Sequence, residues 1–265
     1  MSKSLEDNKL KEMLDKAVDR FNRPSFIPED PISIPHRFSI LQDREIIGFW
    51  TAMLSWGQRK TILSKATQLI ELMGGSPYDF VLNHKDKDLI PFLEFKHRTF
   101  QATDTLYFLD FFRRYYNQNE SLEHAFSRFL EPEDETVEPA LIGFQKVFFD
   151  HPNAPQRTRK HVASPARKST CKRLNMFLRW MVRKDKQKVD FGDWKSIRMD
   201  QLQIPFDVHV ERVARHYGLI KRKQRDWRTV LELTSRLKDF DPKDPVKYDY
   251  ALFGMGVLGR IDGQD

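Results

Sequence analysis

The feature that most restricts this chain is the spacing of its apolar residues, which recur every three or four positions almost from end to end. Leu10, Leu14, Ala17 and Phe21 mark a first amphipathic stripe, and Ile46, Ile47, Trp50 and Leu54 a second. Ile62, Ala66, Leu69 and Met73 follow, stopped by Gly74-Gly75, and Ser76-Pro77 reads as a capping serine with proline in the first turn. Further stripes are Leu106/Leu109/Phe112/Tyr116, Leu122/Ala125/Phe126/Phe129, Leu141/Phe144/Val147/Phe148, Leu174/Phe177/Leu178/Met181, Val210/Val213/Ala214/Tyr217 and Val230/Leu233/Leu237. Val246–Val257 reads as a last helix despite Gly254 and Gly256. No run alternates with the two-residue period of a strand, so the spacing predicts an all-α fold. With 40% apolar residues and 21 phenylalanines, the chain has ample material for a core, which excludes a disordered protein.

Proline and charge mark the boundaries. Arg23–Gln42 carries Pro24, Pro28, Pro31 and Pro35 and reads as an extended arm, after which Asp43 is expected to cap the next helix. Asp150–Pro165 reads as an exposed loop, and Asp185–Pro205 as a linker tacked down by Trp194 and Ile197. The acidic turn Glu131–Glu138 reads as solvated surface. Three segments are expected: residues 1–42, an N-terminal helix and arm that pack with the C-terminal lobe; residues 43–184, a multi-helix lobe; and residues 185–265, the C-terminal lobe.

Several classes drop out. Cys171 is the one cysteine, so the chain builds neither an internal disulfide nor a cysteine-ligated cluster. The eight histidines lack metal spacing, and neither a metal nor another cofactor is expected. Met1–Leu10 lacks the apolar centre of a signal peptide, and no apolar run approaches the roughly 18 residues of a membrane span. A cytoplasmic, nucleoid-associated monomer is expected.

The net charge of +7 is unevenly spread. From His151 to Lys184 there is no Asp or Glu, while ten basic residues fall there, so the remainder is mildly acidic. The ten are Arg157, Arg159, Lys160, Arg167, Lys168, Lys172, Arg173, Arg179, Arg183 and Lys184. Such a concentration is the footprint of a polyanion binder; a solvated basic loop and helix face is the plainer reading.

The sharpest local pattern is Ile204-Pro205-Phe206-Asp207-Val208-His209-Val210-Glu211-Arg212-Val213. It puts Asp207 immediately before an amphipathic helix that ends at Gly218. Asp207 is therefore a helix cap, and if its carboxylate also faces a cleft it can stabilise an oxocarbenium-like transition state. The stretch resembles the Val-Asp-Thr-His-Val-x-Arg-Val signature of the helix-hairpin-helix DNA glycosylases, the superfamily that includes endonuclease III and archaeal 8-oxoguanine glycosylases. Over its length the chain also resembles a bacterial family distantly related to them. Arg215-His216-Tyr217-Gly218-Leu219 is similar to the superfamily's Arg-x-x-Gly-Leu ending. Met53-Leu54-Ser55-Trp56-Gly57-Gln58 and Lys65-Ala66-Thr67 resemble its Leu-Leu-Ser-x-Gln and Lys-Ala-Thr segments, with Gln58 displaced by one position. Lys247–Gly256 resembles its closing helix.

The resemblance implies a two-lobed helical glycosylase fold that binds damaged duplex DNA and excises a base, with Asp207 catalytic and possible strand scission. The superfamily's Leu-Pro-Gly-x-Gly-x-Lys hairpin reads here Pro165-Ala166-Arg167-Lys168-Ser169-Thr170-Cys171-Lys172, without glycine. Measured from Pro165, Lys168 falls short of the nucleophile's spacing and Lys172 overshoots it, so both stay open as Schiff-base lysines or as phosphate contacts. The helix is expected to begin near Ser169, with Cys171 on its buried face. Expected DNA contacts are Gln58, Arg59, Lys60, Arg157, Arg159, Lys160, Arg167, Ser169, Arg173 and His209, and Trp56 and Phe206 are candidates to stack on an extruded base, with core packing the alternative. A DNA- or RNA-binding module that keeps the fold without the chemistry is the competing reading.

Overall fold

A computed structural model describes residues Lys3–Leu258. The ends of the first and last expected segments, residues 1–2 and 259–265, lie outside the described residues. The helices are α1 (Lys3–Phe21), α2 (Leu41–Leu54), α3 (Arg59–Leu72), α4 (Pro77–Asn83), α5 (Ala102–Tyr116), α6 (Glu123–Ser127), α7 (Glu138–Phe148), α8 (Lys172–Val182), α9 (Val208–His216), α10 (Trp227–Lys238) and α11 (Tyr248–Leu258). Among the described residues there is no strand, only an isolated bridge between His97 and Phe100. The fold is all-α, as the spacing predicts. No helix among the described residues is long and apolar enough to cross a membrane.

The chain gathers into two compact units, and the boundary differs from the expected one. One unit takes the chain up to Ile27, Pro132–Val137 and everything from Pro165; the other takes Pro28–Glu131 and Glu138–Ser164. The basic hairpin and α8 therefore belong with the C-terminal helices, not with the segment 43–184. The proline arm divides at Ile27, its later part joining the unit built on α2. The reason is packing that apolar spacing does not reveal: α8 buries two arginines among carboxylates of the C-terminal segment, described below.

In the unit of residues 28–131 and 138–164, α2 is the axis. Ile46, Ile47, Phe49, Trp50, Ala52, Met53 and Leu54 are all fully buried, the signature of a helix enclosed on every side. The phenylalanines close around it. Phe49 meets Phe144 at 5.4 Å and Phe108 at 5.8 Å between ring centroids, Phe126 stacks on Phe144 at 3.9 Å, and Phe111 meets Phe148 at 4.3 Å. The proline arm is not extended. It coils into three 3-10 turns, Pro24–Glu29, Pro31–Ser33 and Pro35–Arg37, because proline's fixed φ suits the first position of such a turn. Ile32 and Ile34 are fully buried, so the arm is packed.

Two carboxylates inside α2 act on other helices. Asp43 does not cap α2, which begins at Leu41 with Ile40 in the cap position. Its Oδ1 accepts from the Tyr78 amide at 2.7 Å and so caps α4, the task expected of Ser76, whose side chain makes no cap bond. A charged carboxylate at a helix amino end gains from both the free amide and the dipole. Glu45, fully buried, accepts from the Tyr116 hydroxyl at 2.8 Å, the Ser121 hydroxyl at 2.5 Å and the Leu122 amide at 2.9 Å, joining α2 to α5 and to the start of α6. The expected loop Asp150–Pro165 is also ordered: Gln156–Lys160 forms a 3-10 turn, and Thr158, His161, Val162 and Ser164 are buried.

In the other unit, α11 packs against α1 on one side and α9 on the other. Its two glycines, which weaken the sequence case for a helix, make this possible. A Cβ on Gly254 would lie 2.5 Å from the Phe21 ring, and one on Gly256 would lie 2.8 Å from the His209 Cβ and 2.9 Å from the His209 carbonyl oxygen. Gly218, at φ +65°, ends α9 as expected, and the Leu219 amide closes the turn onto the Ala214 carbonyl at 2.8 Å. Trp194 and Ile197 are buried and tack down the linker. The acidic turn is more than solvated surface. The Arg198 guanidinium donates to the Pro132 and Asp134 carbonyls at 3.0 and 3.2 Å, and the Gln201 side chain to Asp134 at 2.8 Å.

Removing the Glu45 carboxylate would strand two hydroxyls and an amide in the core. Glu45→Ala is expected to lose on the order of 3 kcal/mol, and Glu45→Gln about half of that. Urea unfolding midpoints of the three proteins measure it.

Candidate active site

The α8 helix begins at Lys172, later than Ser169, after a turn that the glycine-free hairpin makes under strain. Pro165–Arg167 is a single 3-10 turn, and the Lys168 amide closes it onto the Pro165 carbonyl at 2.8 Å. Lys168 (φ +59°) and Cys171 (φ +50°) both take left-handed backbone conformations, which glycine adopts without steric cost. The Ser169 hydroxyl accepts from the Cys171 amide at 3.2 Å. Cys171 is buried, as expected, but in the cap position before the helix rather than on its face.

Positions 172, 176, 179 and 183 share one stripe of α8, since steps of three and four residues return to the same helix face. Lys172 is half-buried, and its Nζ folds back toward Met176, 3.7 Å from the sulfur. Arg179 and Arg183 follow and are buried. Arg179 hydrogen-bonds through Nη1 to Asp249 Oδ2 and through Nε to Asp190 Oδ1 at 3.2 Å. Arg183 donates to Asp190 at 3.1 Å, to both oxygens of Asp244 at 3.0 and 3.1 Å, and to Asp185 at 2.8 Å. The Tyr250 ring underlies both guanidinium groups, at 4.4 and 5.5 Å. Burial works against the Arg183 charge, but the neighbouring carboxylates outweigh it and raise its pKa. Asp244 is held above the ordinary carboxylate range by burial, which Arg183 only partly offsets. These two arginines, counted above within the basic segment, are therefore neutralised inside the fold.

Asp207 caps α9. One oxygen, Oδ1, accepts from the His209 and Val210 amides at 2.9 and 3.0 Å, which fixes the carboxylate on the helix amino end. The side chain stays half-buried, and Val208 beside it is exposed. His209 turns back on α11, with Nδ1 3.4 Å from the Gly256 carbonyl oxygen and its ring 5.7 Å from Phe253. Phe206 is buried in the core.

The residue that sequence reasoning passes over is Asp249, in the first turn of α11. Its carboxyl is buried and its pKa is raised to about 7. Burial is the chief cause; Asp207 and Asp190 add to it, and the Arg179 and Lys172 charges oppose it. Asp207 and Lys172, from different helices, thus both act electrostatically on one buried carboxyl. Lys168 has a different setting: its side chain is exposed, and its carbonyl accepts from the Trp227 amide at 3.3 Å. Nothing in the sequence around Asp249 sets it apart except its place in a first helical turn; only the approach of α8 and α9 reveals it. Of the other residues expected to touch DNA here, Arg167 is exposed, Ser169 is half-buried, and Arg173 is half-buried, with burial pulling its pKa down to about 10.

The remaining predicted contacts lie in the other unit. Gln58 is the cap residue of α3, exposed and without a side-chain cap bond, followed by half-buried Arg59 and exposed Lys60. Half-buried Trp56 stacks on His161 at 5.7 Å and meets His97 edge-on at 4.9 Å. Arg157 pairs with the buried Asp104 at 3.2 Å and donates to the Thr99 carbonyl at 3.0 Å. Arg159 lies over Phe149 at 4.7 Å, and Lys160 is exposed. Among the described residues no group of three or more His, Cys, Asp and Glu side chains is arranged to hold a metal ion.

A family described as protein of unknown function, DUF2400, matches residues 30–258. The chain belongs to it. The matched span takes in α2 through α11, and with them Lys172, Asp207 and Asp249. No curated protein and no solved structure matches the chain.

The buried arginines allow a direct check. Arg183→Met would leave Asp190, Asp244 and Asp185 without their shared cation and is expected to cost roughly 3–5 kcal/mol. Arg167→Met, at an exposed position, should stay within about 0.5 kcal/mol of the parent. Thermal melts of the two variants against the parent decide it.

Proposed function

We propose that this protein binds DNA and cleaves the N-glycosidic bond of a damaged base, with Asp207 as the catalytic carboxylate and Lys172 as the amine nucleophile. The observation that carries the reading is the half-buried Asp207 carboxylate, held by the His209 and Val210 amides at the cap of α9, in the same compact unit as a half-buried lysine at the first position of α8. Asp249, in the same unit, has its pKa raised to about 7 by burial, and a group perturbed in this way is common where protons move. The sequence resemblance to helix-hairpin-helix glycosylases points to the same aspartate. It leaves the lysine open, and the half-buried setting of Lys172 favours it over the exposed Lys168.

The chemistry follows from the groups. As the C1′–N bond breaks, its electron pair leaves with the base, and positive charge develops on the sugar. Asp207, held by two amides, offers its negative charge to that oxocarbenium-like centre without having to reorganise. The Lys172 amine, once deprotonated, forms a bond to C1′; loss of a further proton and opening of the sugar ring give an imine, which water hydrolyses. Arg167 and Lys168 keep exposed positions from which to meet phosphates, while Arg179 and Arg183 do not contribute.

Asparagine caps a helix about as well as aspartate, so Asp207→Asn is expected to fold with a nearly unchanged melting temperature. Without the full charge, single-turnover excision on a panel of lesion duplexes should slow on the order of 100-fold, the equivalent of about 3 kcal/mol. Excision at the parental rate would reduce Asp207 to a structural cap.

Borohydride added during reaction with lesion or abasic DNA should yield a covalent adduct that Lys172→Gln abolishes and Lys168→Gln retains. Salt-sensitive DNA binding with neither excision nor adduct would instead identify a non-catalytic nucleic-acid-binding module.

A further inference from the structure

Three segments of the unit built on α2 carry no Asp or Glu: residues 46–70, 95–103 and 151–164. They are far apart in the sequence and meet at one corner. His97 and Phe100 exchange two backbone hydrogen bonds at 2.9 Å, a tight turn with Arg98 and Thr99 at its tip. His97 Nε2 lies 3.2 Å from the Trp56 carbonyl oxygen, the Trp56 ring stacks on His161, and Arg157 donates to the Thr99 carbonyl at 3.0 Å. One carboxylate, Asp104, reaches this corner from α5, and it is fully buried. It accepts from the Thr158 hydroxyl at 2.7 Å and the Gln101 amide at 2.8 Å, and lies 3.2 Å from Arg157 and 3.4 Å from His161. Its charge is therefore used inside the fold, and the surface above it keeps a positive excess.

Arg98 stands at the tip of that surface. It is exposed, and it takes a left-handed backbone conformation (φ +54°) uncommon for a residue of its size. Its side chain lies along Gly57, where a Cβ would sit 2.8 Å from Nη1 and 3.3 Å from Cδ; Gly57 is itself at φ +99°, so both the turn and the contact call for glycine. Arg157 and Arg159 are engaged internally, the first with Asp104 and the second over the Phe149 ring. Arg98 is not: among the described residues no carboxylate pairs with it, nor with exposed Lys60 in the first turn of α3 or exposed Lys96 beside the turn. The positive field is felt by His97, whose pKa burial pushes down; the Trp56 and Leu54 carbonyls oppose that, and the Arg98 and Lys65 charges add to it.

We propose that Arg98 is a phosphate-binding arginine, and that the corner it forms with Lys60 and Lys96 takes the backbone of duplex DNA. This contact deepens the reading above and rests on its DNA-binding half alone, not on base excision. A guanidinium presents a planar fork of donors that matches phosphate oxygens, and one whose stem is already laid along a glycine loses less freedom on binding. Arg157 is then a positioning residue, which holds the tip through Thr99 and meets no phosphate itself.

Equilibrium binding of an undamaged duplex, measured over a series of salt concentrations, tests the contact. Arg98→Gln should lower the slope of log affinity against log salt by about 0.9, the share of one phosphate, and weaken binding roughly five- to ten-fold near 0.1 M salt. Arg98→Lys keeps the charge and should keep the slope. Lys87, an exposed cation of the same unit set between Asp86 and Asp88, is the control: Lys87→Gln removes the same charge and should leave the slope unchanged. Arg98 lies outside the core, so its loss removes no buried packing. A parental slope in Arg98→Gln, or an equal fall in Lys87→Gln, overturns the contact. If Arg98→Gln lowers the slope as expected and the parent neither excises nor traps, the glycosylase reading fails and the contact stands. If the parent excises and Arg98→Gln keeps its slope, the glycosylase reading stands and the contact fails. A parent that does not bind the duplex overturns both.

Discussion

The C-terminal helices depend on the pairing of Arg179 and Arg183 with the carboxylates of Asp185, Asp190, Asp244 and Asp249. Each guanidinium is planar and cannot lose its proton, so once buried it must be met on several edges, and the carboxylates that meet it come from the segment after α8, the approach to α11, and α11 itself. The burial of charge is costly in isolation, and each cation is therefore met by more than one carboxylate, Arg179 by Asp190 and Asp249 and Arg183 by Asp185, Asp190 and Asp244. Backbone bonds fix the same segment, with the Phe191 and Trp194 amides donating to the Trp180 and Met181 carbonyls at 2.8 and 2.9 Å. The position of α8, and therefore of Lys172 at its start, follows from this network.

That dependence links fold to site. The stripe that carries Arg179 and Arg183 inward also carries Lys172, so the amine is oriented by the same packing that buries the guanidinium groups. Asp249 takes part in both: it is a partner of Arg179 and the carboxyl on which Lys172 and Asp207 act. Asp249 is a buried carboxyl that, among the described residues, meets one guanidinium directly, so burial prevails over the cation and its pKa is raised.

Structural signals in this chain are plain where they are local and hidden where they depend on distant residues. The amphipathic stripes correspond to helices because the periodicity follows from backbone geometry alone. Asp207 and Gly218 are legible for the same reason, since a cap is determined by the few residues around it. Asp43 has the sequence position of a cap for its own helix and instead serves α4, 35 residues away, because a carboxylate binds whichever free amides the fold brings to it. The ten-cation segment reads as one surface in sequence. In the fold it divides, with Arg179 and Arg183 inside and Arg167, Lys168 and Lys160 outside, because acids from elsewhere neutralise two of them.

The all-helical class, the places where most helices lie and the capping aspartate before α9 are legible in the residues alone, as consequences of interactions within about one helical turn. That the chain parts at Pro165, that Lys172 is half-buried while Lys168 is exposed, and that Asp249 is buried against Arg179 emerge only once the helices pack. The difference lies in range. Helix periodicity and caps are settled by neighbours in the chain, whereas burial of a charge, the partners that neutralise it and the proton it holds depend on elements that meet only after folding.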